Sequence, residues 1–342
     1  MKLGVSVIVC CYNSVSRLPD TLEHIALQQC REEIDWELVI VDNASTDGTG
    51  EYAEYQWKQY QISVPIRVIH EASPGLIAAR ITGVQQAQYE FITFVDDDNW
   101  IAENWIELVY NTLKDKPLVG ACGGHNTAVF EGDSPDWFPT FQHLFAVGQQ
   151  ASEEGVLPEE KYELWGAGLS LRRSAWMNMR EKGFTSLLSG RKGKTLSAGE
   201  DAEICFALKI MGYQLYYNPS LQLRHFIPAN RLEWTYVQRI AVGFAESRFI
   251  LTSYDYFYRK PRLIESYPYL YLSIYFLYNL GLLLRSALYR EKQRNYEGNY
   301  YHIEWVRRLN IIKSFNWYTY LEIVAKMKKC IKPLRSARSF SQ

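Results

Sequence analysis

The N-terminal part of the chain alternates apolar runs of strand length with segments of helical periodicity. Four apolar runs occur, at residues 4–11, 36–42, 66–70 and 91–95. Between them apolar residues recur at helical spacing, as in the segments 17–29 and 76–86. Apolar runs without polar alternation are typical of strands that are covered on both faces. The order strand, helix, strand therefore predicts βαβ units with right-handed crossovers and a mostly parallel sheet in an α/β fold.

Polar residues follow three of these runs at the point where each strand ends. Tyr12 and Asn13 follow the first run, Asp42 ends the second, and Asp96–Asn99 follow the fourth. Ligands of open α/β sheets bind beyond the carboxyl ends of the strands. We therefore expect these side chains to converge on one crevice.

Three consecutive carboxylates, Asp96, Asp97 and Asp98, lie at the end of the fourth run. Their mutual repulsion would be relieved by a divalent cation, and Mg²⁺ or Mn²⁺ is usually held by one or two carboxylates together with substrate phosphates. The alternative is a solvated acidic turn that leads into the next helix, with Asp98 or Asn99 as its N-cap. The triplet alone leaves both interpretations open.

The later part of the chain has less regular patterns. Glu200 and Asp201 precede a predicted helix over 202–211, where acidic residues suit a helix N-terminus. The aromatic-rich segment 130–150 is interpreted as a loop above a satellite core, with a sugar-stacking surface as the alternative. Further strands are predicted over 119–124, 165–171, 213–217 and 221–226.

Six short motifs occur in a fixed order: Cys11-Tyr12-Asn13, the turn 41–48, Gly75–Arg80, Asp96–Asp98, Gly166-Ala167-Gly168 and Glu200-Asp201. Each motif is common by itself. The ordered set, which spans roughly residues 3–230, resembles a family 2 glycosyltransferase of the GT-A fold, a Rossmann-like mixed sheet flanked by helices. The resemblance implies transfer of a sugar from a nucleotide-diphospho-sugar donor to an acceptor hydroxyl, with inversion at the anomeric carbon.

The resemblance also implies which residues bind the donor. Tyr12 and Asp42 would contact the nucleotide base, and Arg80 would contact the nucleoside. Asp96 matches the first position of the family's DxD motif, which binds ribose and the metal–diphosphate. Three further residues of the six motifs complete the predicted donor site: Asp97, Gly168 and Glu200.

The metal and the general base are implied in the same way. Asp98 matches the last position of the DxD motif, so Asp96, Asp98 and a late histidine, His225, would hold Mn²⁺ or Mg²⁺. Asp201 matches the general base. Inverting transfer needs a base for the proton of the acceptor hydroxyl and a cation for the charge on the departing diphosphate.

Each of these residues also has an ordinary structural alternative. Asp42 and Asp201 could cap a turn and a helix. Arg80 could form a salt bridge on a helix face, and His225 could be a satisfied structural histidine.

Two departures from the family pattern bear on substrate binding. Ser73 and Ile81 stand where the family often has asparagine, which leaves the details of nucleoside binding open. The Gln-x-x-Arg-Trp motif of processive synthases is absent, since Gln238-Arg239-Ile240 does not fit it. The sequence therefore favours addition of a single sugar over polymerisation.

The charge distribution separates the end of the chain from the rest. Residues 285–342 carry 13 Lys or Arg and 4 Glu, whereas the other residues carry 24 basic and 34 acidic groups. The net charge of −1 gives no support to a nucleic-acid partner. Residues 266–284 have no charge but include five tyrosines, which predicts an interfacial helix beside anionic lipid rather than a span. A helical subdomain packed on the core is the alternative.

These observations predict a GT-A domain over 1–230 and a helical, aromatic-rich region over 231–342 that associates with a membrane. The six cysteines have no metal-site spacing, and no signal peptide is recognised, so we expect a cytoplasmic protein at the inner face of the membrane. The leading hypothesis is a metal-dependent glycosyltransferase that acts on a polysaccharide or lipid-linked acceptor. A sugar-phosphate nucleotidyltransferase and a non-catalytic carbohydrate-binding relative of the fold are the alternatives.

Overall fold

The computed structural model describes residues 2–31, 33–188, 199–292 and 296–338. The strands are β1 (Lys2–Cys11), β2 (Trp36–Asn43), β3 (Ile66–Glu71), β4 (Tyr89–Asp96), β5 (Asn99–Ile101), β6 (Val119–Phe130), β7 (Gly155–Val156), β8 (Ser170–Arg172) and β9 (Gln214–Ile227). The helices are α1 (Leu18–Ala26), α2 (Thr49–Gln59), α3 (Leu76–Gln86), α4 (Trp105–Lys114), α5 (Phe138–Phe141), α6 (Arg173–Glu181), α7 (Glu200–Ile210), α8 (Trp234–Arg259), α9 (Pro261–Ser266), α10 (Pro268–Lys292), α11 (Tyr296–Lys313) and α12 (Trp317–Arg338). Two 3₁₀ turns lie at Gln142–Phe145 and Ala229–Arg231.

The described strands form one mixed sheet in the order β3-β2-β1-β4-β8-β6-β9-β5, with β7 paired to β9. The first four strands of this order are parallel, as the βαβ pattern predicts. β8 is antiparallel to both β4 and β6, whereas β6 and β9 are parallel to each other. The architecture is the predicted α/β fold with a mixed sheet flanked by helices.

The register of β1 brings the polar strand ends together. Cys11 lies opposite Asp42 on β2, and Cys10 lies opposite Asp96 on β4. The carboxyl ends of the three strands are therefore level with one another at the same edge of the sheet. The expected convergence of their polar residues on one edge is confirmed.

Several predicted strands differ from those observed. The strand predicted over 165–171 is wrong for most of its length, since only Ser170–Arg172 is a strand. Ahead of it, Gly168 has φ +77° and donates its N–H to the Phe94 carbonyl at 3.1 Å, so the backbone turns there instead of extending. The segments 213–217 and 221–226 belong to one strand, β9. β5 was not predicted, because three residues are too few for a recognisable pattern.

The aromatic segment after β6 forms the satellite core that was expected. Phe138, Phe141 and Phe145 are buried and pack with residues of β9 and α8, including Ile227 and Val237. Their burial shows that most of these rings act as core, although Leu144, Phe145 and Ala146 also line a large cavity at the carboxyl edge of the sheet.

The C-terminal helices pack directly on the sheet domain. One buried cluster includes Phe94 of β4 and Leu169, together with Tyr254 of α8, Tyr271 of α10 and Met327 of α12. The secondary structure changes from sheet to helix at Trp234, close to the expected boundary at residue 230. The division into two domains stays a prediction, since a common core joins the two parts.

Candidate functional site

A cavity of about 910 Å³ opens at the carboxyl edge of β1 and β4. Residues of the 163–167 loop, the N-terminus of α7, and helices α8 and α11 complete its wall. Eight of the predicted site residues line it: Tyr12, Arg80, Asp96, Asp97, Asp98, Glu200, Asp201 and His225. The structure therefore brings residues from widely separated parts of the chain to one cavity.

The middle carboxylate of the triplet is held by the turn after β1. Asp97 accepts hydrogen bonds from Ser14 Oγ and, at 2.7 Å, from Arg17 Nη2. Burial, followed by the charge of Asp98, raises the pKa of Asp97. Its interaction with Arg17 thus connects β4 to the start of α1 and presents a guanidinium to the cavity.

Asp98 lies between an arginine and a histidine. Its Oδ2 accepts a hydrogen bond from Arg231 Nη1 at 3.0 Å, and its Oδ1 lies 3.5 Å from His225 Nε2. His225 Nδ1 is 2.8 Å from the Phe145 carbonyl, which can only accept, so Nδ1 carries the proton. In the neutral ring the lone pair of Nε2 then points toward the Asp98 carboxylate. A cation bound between Nε2 and that carboxylate would be favourable.

The donor groups at this end of the cavity suit a divalent cation that is completed by a ligand. Within the described residues, no group of three or more His, Cys, Asp or Glu side chains is placed to hold a metal by itself. Asp98 and His225 nevertheless form a close pair of possible ligands, and Asp96 lines the same cavity. Mg²⁺ characteristically binds through one or two carboxylates plus substrate phosphates. Asp96, Asp98 and His225 therefore fit a divalent cation whose remaining ligands come from a bound substrate.

Asp201 is oriented by backbone hydrogen bonds at the N-terminus of α7. Its Oδ2 accepts from Gly166 N at 2.7 Å and its Oδ1 accepts from Ala202 N at 2.8 Å. A Cβ at position 166 would lie 2.7 Å from Arg80 Nη2 and 3.3 Å from Asp201 Oδ2. Glycine at 166 therefore allows the loop to approach both side chains.

Arg80 is buried beside the carboxylates of the cavity. Its guanidinium lies 5.0 Å from the centre of the Phe94 ring, and Nη1 lies 3.8 Å from Glu200 Oε1. Burial disfavours its charge, but Glu200, Asp96 and Asp201 outweigh that effect and raise the pKa of Arg80. Its Nε and Nη1 have no hydrogen-bond partner in the described part of the protein. Such buried donors are unusual without a ligand.

Asp42 and Gly168 are not among the described residues that line the cavity. Asp42 is buried, accepts from Ser45 N at 3.2 Å and lies 3.3 Å from His70 Nδ1; its neighbour Asn43 reaches the cavity instead. Gly168 lies behind the 163–167 loop, where a Cβ would meet the Trp105 ring at 2.7 Å. Their roles in donor binding stay predictions.

Several charged residues of the cavity were not recognised in the sequence. They are isolated residues on separate elements, and no spacing links them to a motif. Only the folded chain shows that they line one cavity: Arg17, Lys161, Glu163, Arg231, Arg248 and Arg307.

The comparisons with known proteins agree with this geometry. The family described as "Glycosyl transferase family 2" matches residues 6–176, which is half of the chain. Glycosyltransferase GlyG of Streptococcus pneumoniae is 32% identical over 151 residues, an alignment that covers 44% of this chain and 48% of GlyG. The chain thus spans about half the length of that relative.

Two further similarities extend over more of the chain. The glucosyl-dolichyl phosphate glucuronosyltransferase of Haloferax volcanii is 25% identical over 238 residues, covering 69% of this chain and 73% of the relative. Residues 1–349 of S. aureus TarS superpose with a TM-score of 0.51 at 16% identity, covering 98% of this chain and 90% of that one. At this identity the superposition shows the fold alone. The match to the family model, on a fold of this type, establishes that the chain belongs to glycosyl transferase family 2.

Proposed function

We propose that the protein is a metal-dependent, inverting glycosyltransferase that moves a sugar from a nucleotide-diphospho-sugar to a hydroxyl of a glycan or lipid-linked acceptor. One observation carries this proposal: the same cavity contains Asp201 at the start of α7 and the Asp96, Asp98 and His225 group at the end of β4 and on β9. The charge of Arg80 interacts with both Asp96 and Asp201. Family membership favours this activity over that of a nucleotidyltransferase or a non-catalytic relative.

The donor would bind along the carboxyl edge of β1, β2 and β4. Tyr12 is 55% exposed and lines the cavity, so its ring is available to a nucleotide base. Asp42, Asp97 and Gly168 would support this region from behind, and Arg80 with its neighbour Glu200 would contact the nucleoside. The buried nitrogens of Arg80 are suitable donors for a bound ligand.

Asp96, Asp98 and His225 would hold Mn²⁺ or Mg²⁺ against the diphosphate of the donor. A bound cation would supply electrostatic stabilisation of the charge on that leaving group. Arg231, which already contacts Asp98 Oδ2 at 3.0 Å, and Arg17 add positive charge to the same end of the cavity. Tyr12 and these arginines would orient the donor so that its anomeric carbon faces Asp201.

Asp201 would act as the general base. In an inverting reaction the acceptor oxygen attacks the face of the anomeric carbon opposite the departing diphosphate. Its hydroxyl proton passes to a carboxylate oxygen of Asp201 as the bond to the sugar forms. The two backbone hydrogen bonds hold the carboxylate in place while each oxygen retains further acceptor capacity.

The names of similar proteins indicate which substrates to test first. TarS 1–349 has been solved in complex with UDP and with UDP-GlcNAc. Relatives include a cholesterol galactosyltransferase of Borreliella burgdorferi and a poly(ribitol-phosphate) β-glucosyltransferase of Bacillus spizizenii. We therefore place the protein in polysaccharide or glycolipid biosynthesis, with UDP-sugars as the first donors to examine.

We also propose peripheral attachment to the inner face of the cytoplasmic membrane through α10. By length and composition, Pro268–Tyr289 could cross a membrane, although 28% of its most apolar window is buried in the protein. Leu270, Leu277 and Leu284 are 53%, 63% and 59% exposed on this helix, whereas Tyr271 and Asn279 are buried against the core. A helix with one face packed on its own domain suits the interface better than a span. The cysteines are free thiols, which fits a reducing compartment.

The direct test of the activity is a thermal-shift screen of nucleoside diphosphates and nucleotide-sugars, each with MnCl₂ and with EDTA. We expect a UDP-type ligand to raise Tm only when Mn²⁺ is present, because a ligand of the native state stabilises it by mass action. Asp98→Asn should abolish the Mn²⁺-dependent rise in Tm, whereas the exposed control Asp133→Asn should retain it. If no nucleotide raises Tm with any divalent cation, the proposed function is wrong.

A further inference from the structure

The cavity has a second group of cations that the proposed donor site does not use. Lys161 lies in the segment that follows β7, Arg248 lies on α8 and Arg307 lies on α11, and all three line the cavity. Glu163 is the acidic residue that lines the cavity beside them. This wall is made by the segment after β7 and by the C-terminal helices α8 and α11, whereas the acidic triplet lies at the end of β4.

The charge of this wall is only partly compensated by the side chains that the structure describes. Arg307 and Arg308 share one carboxylate: Arg307 Nη2 contacts Glu304 Oε1, and Arg308 Nε lies 3.3 Å from Glu304 Oε2. Arg308 also donates to Asn279 Oδ1 at 2.7 Å, whereas Arg307 Nε is buried without a hydrogen-bond partner in the described part of the chain. Burial, and then the charges of Arg307 and Arg248, lower the pKa of Arg308 against the opposing effect of Glu304. The wall therefore has one donor without a protein partner among the described residues, Arg307 Nε, and an excess of positive charge.

This cationic wall is close to the proposed base. Burial, followed by the charge of Asp201, raises the pKa of Glu163, while Arg248 and Lys161 act on the same carboxyl in the opposite direction. Glu163 is thus within electrostatic range of Asp201 and of two of the three cations. A group bound by these cations would lie on the side of the cavity from which Asp201 acts.

The position of Asp201, the proposed base, indicates whether the cationic wall binds the donor or the acceptor. In an inverting transfer the diphosphate leaves from the face of the sugar opposite the base, so its charge develops toward Asp98, His225 and Arg231. The acceptor approaches from the side of Asp201. Cations on that side suit a negative charge of the acceptor, because guanidinium and ammonium groups bind phosphate and carboxylate through charge-assisted hydrogen bonds.

We propose that Lys161, Arg248 and Arg307 bind an anionic group of the acceptor, a phosphate or a carboxylate, and so position its hydroxyl at Asp201. This inference rests on the proposed function and names the class of its acceptor. The anion could belong to a soluble phosphate ester or polymer, or to a lipid-linked phosphate, and the chemistry of recognition is the same for both.

The test uses the whole chain of 342 residues, saturated with Mn²⁺ and the nucleotide found in the thermal-shift screen, so that the donor end of the cavity is filled. Binding of glycerol 3-phosphate is followed by isothermal titration calorimetry, and glucuronate and glucose are compared by competition. We expect glycerol 3-phosphate and glucuronate to bind and glucose to compete weakly or not at all. Arg248→Gln and Lys161→Gln should each weaken the binding of glycerol 3-phosphate about tenfold, the loss of one charge-assisted hydrogen bond.

Two further variants separate charge from structure. Arg248→Lys should retain most of the affinity because it retains the charge. Arg239→Gln removes a positive charge from the exposed part of the same helix outside the cavity and should leave affinity within about twofold.

Phosphatidylcholine vesicles with and without dodecyl phosphate show whether a lipid phosphate is accepted as well as a soluble one. Binding of either anion that requires Arg248 supports the site.

The outcomes distinguish this inference from the proposed function. If the nucleotide and Mn²⁺ bind but neither glycerol 3-phosphate nor glucuronate does, or if the anions that bind do so as tightly to Arg248→Gln as to the wild type, the acceptor site is wrong and the proposed function stands. If Arg248→Gln weakens nucleotide binding as much as phosphate binding, these cations serve the donor and the inference is overturned. If no nucleotide binds, the proposed function fails and the acceptor site fails with it.

Discussion

His225 Nε2 lies 3.5 Å from Asp98 Oδ1, while its Nδ1 donates to the Phe145 carbonyl at 2.8 Å. The second hydrogen bond selects the tautomer whose lone pair faces the carboxylate. The satellite core contains Phe145, so this core orients a candidate metal ligand. None of the six sequence motifs includes a residue of this core.

Replacing this histidine tests the metal site. We expect His225→Phe to weaken Mn²⁺ binding in the presence of nucleotide by about tenfold or more, because a nitrogen ligand is lost from the metal. Isothermal titration calorimetry of the nucleotide-bound protein measures the affinity for Mn²⁺. His125→Gln, outside the cavity lining, serves as the control. Equal Mn²⁺ affinity in wild type and His225→Phe would show that the ring is structural.

Asp201→Asn tests the base. Asparagine can still accept the Gly166 N–H, so the loop should stay in place while proton transfer is lost. We expect the transfer rate to fall by about 10²- to 10⁴-fold, with donor affinity unchanged. Release of nucleoside diphosphate measures transfer, and the thermal shift with nucleotide and Mn²⁺ measures binding. Transfer at the wild-type rate would overturn the assignment of Asp201.

Gly168→Ala tests the packing behind the cavity loop. The substitution adds the cost of a left-handed backbone, about 1–2 kcal/mol, to a clash with the Trp105 ring at 2.7 Å. Gly183→Ala is a matched control, since Gly183 has φ +85° and nothing within 4 Å of its added Cβ. We expect Gly168→Ala to lower the free energy of unfolding by about 2–5 kcal/mol and Gly183→Ala by about 1 kcal/mol, in urea titrations. Equal losses would mean that the loop adjusts freely.

Glu203 predicts a pH dependence of stability. Its side chain is buried and accepts from Leu187 N at 3.0 Å and Leu188 N at 2.9 Å, yet burial raises its pKa. Because the folded-state pKa is above that of the unfolded chain, the native state binds more protons between the two values, and this group lowers stability as pH rises through that window.

Glu203→Gln does not titrate, so it should remove this contribution. We expect the Tm of the variant minus that of the wild type to increase as the pH rises above about 4, near the ordinary glutamate pKa. Differential scanning calorimetry across this range measures the slope, and the exposed Glu153→Gln is the control. Parallel pH profiles of Glu203→Gln and wild type would contradict the prediction.

The exposed face of α10 predicts binding to lipid. The double substitution Leu277→Gln/Leu284→Gln removes two exposed apolar side chains, each of which gains about 1.5–3 kcal/mol when fully buried. We expect at least a tenfold loss of binding to anionic vesicles in co-sedimentation, with an unchanged Tm. Leu118→Gln alters an equally exposed leucine, at 61%, before β6. If Leu118→Gln has the same effect, or wild type ignores the vesicles, α10 is not the contact.

Local sequence patterns predicted the elements whose signal is long and regular. The helix over 76–86 and the strands that end near Cys11, Asp42 and Asp96 agree with the structure because their apolar spacing matches one secondary-structure period. The segment 165–171 was mispredicted because its hydrogen bonds go to Phe94 and Asp201 through a glycine-dependent turn. Such tertiary partners have no local signature.

The sequence by itself determined the alternation of the first four strands with helices, and with it the edge of the sheet where Tyr12, Asp96 and Asp98 would meet. It also contained the motifs that identify the family. Only the tertiary structure decided that Asp97 holds Arg17, that His225 faces Asp98, and that Lys161, Arg248 and Arg307 share a wall with Asp201. The reason is physical: strand order follows from periodicity along the chain, whereas charge pairing depends on distances between residues that lie far apart in sequence.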